Sequence, residues 1–183
     1  MFANFVAFLF NMITTLIGSL LVLRAYIFYQ RLSIFDPVAR LAWATTNWLV
    51  IPLSQVFRPT QRWEMASVVG SYIMALVVAL VAREVHGLPV DLLMVPVCAI
   101  FVVIRWLVEL VLWGTILLVV FSWLQPTSPS YAMFWRLTNP FMGPISRLMP
   151  RMGNIDLTPF VVFFLANVIL YLVAPLSQGY FFM

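Results

Sequence analysis

Arg105 and Glu109 stand four residues apart inside a long apolar run, the spacing that lets side chains on one helix face meet. Ionisable groups within a membrane-length segment are costly. They are either paired with each other to lock helix packing, or they belong to a site that handles charge. Two stripes of polar or small residues occur in other apolar runs. Asn11, Thr15 and Ser19 recur at steps of four in the first apolar run, with Thr14 and Gly18 next to them. Ser67, Ser71, Ala75 and Ala79 recur in the same way in the second. Small residues at this spacing let helix backbones approach closely in lipid, so plain helix packing is the bland reading. The sharper one is a polar path lined by these stripes, by Asn167 and by the Arg105–Glu109 pair.

No set of residues suited to catalysis emerges. His86 is the single histidine, without cysteine or carboxylate companions, and reads as a solvated side chain in a short outer loop. Cys98 is the single cysteine, which excludes a disulfide framework; together with the methionines it reads as packing. The glycines are too scattered for a phosphate loop, and the carboxylates do not cluster as acid–base pairs. The expectation is a protein that is not an enzyme and that holds no cofactor and no metal.

The elements that must position these residues follow from composition. Hydrophobic residues make up 64% and charged residues 9% of the 183, and mean hydropathy is +1.04. A chain so poor in polar residues cannot cover a water-facing surface. Four runs are long enough to cross a bilayer: Phe5–Phe28, Met65–Ala82, Leu92–Leu124 and Pro159–Leu176. The first lacks the basic start of a signal peptide and reads as a retained span. All ten basic residues are arginine, and most fall in two loops, 29–64 and 125–158. This arrangement points to membrane topology and to membrane lipids, not to a nucleic-acid partner. It predicts both loops cytoplasmic and both termini outside. Arg24, near the cytoplasmic end of the first span, reads as an anchor that reaches the headgroups.

One pattern occurs twice, 92 residues apart. The first copy has Asp36, Pro37, Thr46, Asn47, Pro52 and Ser54; the second has Ser128, Pro129, Thr138, Asn139, Pro144 and Ser146. Glu64 and Asp156 also match, and each reads as a cap on the helix that follows. Such self-similarity predicts two repeats, residues 1–91 and 92–183, each made of helix, amphipathic segment, helix. With two spans apiece the halves share one orientation, a parallel repeat. Asp36 and Ser128 read as N-caps, each followed by proline at the first helical position. Pro52 and Pro140 are then expected to stop the two amphipathic helices, leaving proline-bounded turns at 52–59 and 144–150. Trp43, Trp48, Trp63, Trp123 and Trp135 read as anchors in the headgroup region.

The stretches Phe121–Pro126, Trp135–Pro140, Gly143–Arg147 and Gly153–Pro159, with Asp156 and Pro159 closing the last, resemble the YggT family, also called YlmG-like. The resemblance is strong in the second half and looser in the first, where Trp48 stands opposite Pro140 and Ile51 opposite Gly143. It implies small integral membrane proteins, often with the domain in tandem. Members are linked to osmotic or ion stress, to envelope and division contexts and, in plastids, to cytochrome assembly or nucleoid organisation. The reading is an all-α polytopic membrane protein of four spans in the bacterial inner membrane. Its leading role is a non-enzymatic accessory, assembly or stress-tolerance factor that contacts other membrane proteins or itself. An oligomeric ion or small-solute channel or transporter active in osmotic adaptation is the alternative.

Overall fold

In hydrocarbon every backbone N–H and C=O must be satisfied within its own segment, and an apolar chain meets this with helices. The computed structural model describes residues 2–33, 36–85, 93–148 and 156–178. Among them lie six α-helices: α1 (Phe2–Tyr29), α2 (Pro37–Val56), α3 (Met65–Val85), α4 (Met94–Leu124), α5 (Pro129–Leu148) and α6 (Thr158–Gln178). His86, Asp91, Leu92, Arg151 and the expected boundary between residues 91 and 92 lie outside the described residues. Four helices are long and apolar enough to span: Phe8–Tyr29 of α1, Met65–Glu84 of α3, all of α4 and all of α6. The molecule is an all-α polytopic membrane protein.

The spans pack pairwise. Helix α1 lies along α3 and α4 along α6, while α3 against α4 and α1 against α4 join the pairs. The shorter α2 leans on α1 and α3, and α5 on α4 and α6. The fit between α1 and α4 is tight at Gly18 of α1. A Cβ there would sit 2.1 Å from the Trp106 ring of α4, and Trp106 is fully buried. A core of Ala75, Ala79, Cys98, Ala99 and Val102 surrounds that indole. Helix α1 ends in a reversed turn: Arg31 takes a positive φ of 52°, and the Leu32 N–H bonds back to the Ile27 carbonyl at 3.1 Å.

Two expectations about helix ends are corrected. Pro52 does not stop α2, which runs on to Val56, and neither Pro140 nor Pro144 stops α5, which runs on to Leu148. Past Pro52 and Pro140 the reason is packing that continues beyond the proline; past Pro144 the last turn runs on with Ser146, Arg147 and Leu148 exposed. Leu49, Val50 and Leu53 sit in one cluster with Leu21 and Ala66 on either side of Pro52. Beyond Pro140, Phe141 lies against Tyr26 and Met142 joins the cluster around Ile27 and Leu118. Burial of that face outweighs the backbone N–H that each of Pro52 and Pro140 lacks. Asp36 occupies the N-cap of α2, yet its side chain makes no capping bond. Ser128 does cap α5, its Oγ accepting from the Tyr131 N–H at 3.1 Å.

Candidate functional site

A densely bonded polar cluster centres on Arg24, which corrects its reading as a headgroup anchor. The residue is only 5% exposed, because α2 folds back over the end of α1 and covers it. Its Nε donates to Glu64 Oε2 at 2.7 Å and its Nη2 to Glu64 Oε1 at 2.8 Å, a two-pronged ion pair. Its Nη1 donates to Thr46 Oγ1 at 3.0 Å and to Asn47 Oδ1 at 2.7 Å. The Trp43 ring lies 4.8 Å from the guanidinium carbon and covers one face of the charge. Glu64 is therefore more than a cap. It ties the start of α3 to α1 and also accepts from Ser67 Oγ at 2.5 Å. Nearly every polar atom of this cluster is satisfied from within, as burial requires.

The second charged feature is the pair first singled out. Arg105 Nε donates to Glu109 Oε1 at 2.8 Å, but the pair is not sealed inside the helix cluster. The two side chains are 40% and 25% exposed. Arg105 opens onto a shallow groove of about 480 Å³ whose other wall is α1, with Asn11, Thr15 and Ser19 along it. The α1 stripe and Arg105 of α4 thus line one groove. No other partner for the Arg105 guanidinium is found among the described residues.

The α3 stripe lies elsewhere. Ser67, Ser71, Ala75 and Ala79 are all buried, Ser67 and Ser71 spending their hydroxyls on Glu64 and the Val68 carbonyl. Asn167 is turned outward on α6 and donates to the Phe163 carbonyl, so the structure does not bring it to the groove. In the second half, Thr138 is buried and donates to the Phe134 carbonyl at 2.8 Å, while Asn139 is exposed. Asp156 caps α6 by accepting from the Thr158 N–H at 2.9 Å. Pro37 and Pro129 open α2 and α5, and Pro159 lies in the first turn of α6. Sequence reasoning marked Arg24, Thr46, Asn47 and Glu64 one at a time but did not join them. The available signal was that Arg24 is the only charged residue of the first span and Glu64 the nearest acid to follow a flagged polar pair.

A match to the CCB3/YggT family covers residues 97–177, which take in most of α4, all of α5 and nearly all of α6. Similarity to curated proteins extends further. The chain is 26% identical over 178 residues to the uncharacterised protein YggT of Escherichia coli strain K12, covering 96% of this chain and 93% of that one. It is 27% identical over 147 residues to an uncharacterised protein of Haemophilus influenzae, 79% of this chain and 78% of that one. An uncharacterised protein in the proC 3′ region of Vibrio alginolyticus is 24% identical over 166 residues, 87% of this chain and 88% of that one. No solved structure matches the chain.

Proposed function

The chain belongs to the YggT family, and on that premise we propose that it is a non-enzymatic accessory or assembly factor of the bacterial inner membrane that docks other membrane proteins through its helix faces. One observation carries the reading: an intramembrane ion pair that faces outward, beside a stripe of hydrogen-bonding residues. Arg105 and Glu109 lie near the middle of the long helix α4, so the exposed part of the pair faces either lipid or a partner. Leaving guanidinium donors to hydrocarbon is expensive, and a partner helix that presents acceptors along Asn11, Thr15 and Ser19 removes that cost. Support of helix α4 does not account for the pair. Arg preceding Glu is the weaker order for an isolated helix, and α4 is already strongly apolar. In this reading the arginine-bearing loops 29–64 and 125–158 are cytoplasmic and touch lipid headgroups.

The same groove supports one other reading. A second copy laid over it encloses Asn11, Thr15, Ser19 and Arg105 in a polar path, which makes a channel active in osmotic adaptation. Purification from native membranes in mild detergent separates the two. The accessory reading expects a reproducible membrane-protein partner that is lost from R105Q while abundance and thermal stability are kept. A homo-oligomer without a partner, with liposome ion flux that R105Q abolishes, replaces it by the channel. If R105Q does nothing but lower abundance, the pair is structural and both readings fail.

A further inference from the structure

The first half of the chain shows how this fold holds a guanidinium, and the second half keeps part of that holder without the arginine. Arg24 is gripped by the acid that precedes α3, Glu64, and covered by an indole of α2, Trp43. At the matching positions stand Asp156, which precedes α6, and Trp135 of α5, but the residue that matches Arg24 is Ile116. Those three residues line a single cavity of about 850 Å³ between α4, α5 and the start of α6. Asp156 Oδ1 accepts from the Thr158 N–H, and no arginine among the described residues pairs with this carboxylate. Trp135 is 48% exposed as a residue, whereas the ring of its counterpart Trp43 is partly covered by Arg24.

We propose that this cavity receives an arginine side chain presented by a partner membrane protein. A carboxylate and an indole face on one cavity suit a planar cation that accepts a ring contact and donates to oxygen at once, as Arg24 does. An ammonium group is a point charge without the flat fork, and suits the site less. The rim favours a helix-borne group over a free ion. It is apolar and open, with Trp123 83% and Phe160 70% exposed beside the acid. An arginine can lay its methylene stem along such a surface while its head reaches the carboxylate. This face shares no residue with the groove between α1 and Arg105, and the inference goes beyond the docking proposed there.

The test uses the full chain in liposomes, with two labelled synthetic apolar helices that differ only in carrying arginine or glutamine near one end. Energy transfer to the protein is expected to show about tenfold tighter association of the arginine helix. D156N keeps an oxygen to cap α6, and I116R supplies an arginine from within; each is expected to abolish the preference. R105Q is expected to leave it intact, which separates failure here from failure of the groove. Equal affinity for both helices overturns the proposal, and so does a preference that survives D156N. If octylguanidinium binds in an Asp156-dependent way while the two helices do not differ, the site takes a small cation and the partner proposal is overturned. Should I116R not fold, W135A serves in its place, with the same expected loss.

Discussion

Arg24 shows how one residue's meaning depends on what folds over it. Long side chains near the end of a span commonly reach for headgroups. Here α2 closes over the guanidinium, and an ion pair, two side-chain acceptors and an indole take the place of water. Removing one partner of such a buried pair leaves the other charge uncompensated. R24Q and E64Q are each expected to destabilise the protein by about 3–5 kcal/mol in detergent unfolding. The double variant is expected to lose clearly less than the sum, since the two side chains act as a unit. Additive losses would mean that the pair contributes little as a pair. The Arg105–Glu109 pair is open to its surroundings, and R105Q is expected to cost clearly less in unfolding than R24Q.

Among elements, the contact between α1 and α4 has the least tolerance. Trp106 lies where any side chain on Gly18 would go and is itself enclosed by Ala75, Ala79, Cys98, Ala99 and Val102. G18A is expected to cost roughly 1–3 kcal/mol through overpacking, and G18V more, both read as a lowered unfolding midpoint. The two shorter helices, α2 and α5, begin alike in sequence but differ in how they are capped. Ser128 bonds the Tyr131 N–H, and Asp36 makes no such bond. S128A is therefore expected to cost about 1 kcal/mol, and D36A only the smaller interaction of its charge with the helix end. Equal losses from the two would show that the hydroxyl bond adds nothing.

For the whole molecule, the helix order fixes which segments share a side of the membrane. Two spans, α3 and α4, separate the end of α2 from α5, so the segments around Gln61 and Ser146 face one compartment. In a chain lacking Cys98, Q61C and S146C are expected to react with a membrane-impermeant maleimide from the same side. Labelling from opposite sides would remove one of the four crossings. Cys98 in the native chain is 1% exposed and is expected to stay unlabelled until the protein unfolds.

The four apolar spans were legible in the residues alone, because hydrocarbon permits few alternatives to a long apolar helix. The i, i+4 relation of Arg105 and Glu109 was legible for the same reason: within one helix, spacing alone determines which side chains meet. Where α2 and α5 end was not, since proline's local effect was outweighed by contacts with residues far away in the chain, Leu21 and Ala66 for α2 and Tyr26 for α5. Nor was it legible that Arg24 would be buried against Glu64, or that the Arg105 pair would open outward beside Asn11, Thr15 and Ser19. Periodicity assigns a residue to a face of its own helix. Which neighbour covers that face is decided only by how the helices pack, and that packing made one charged pair a sealed brace and left the other partly exposed.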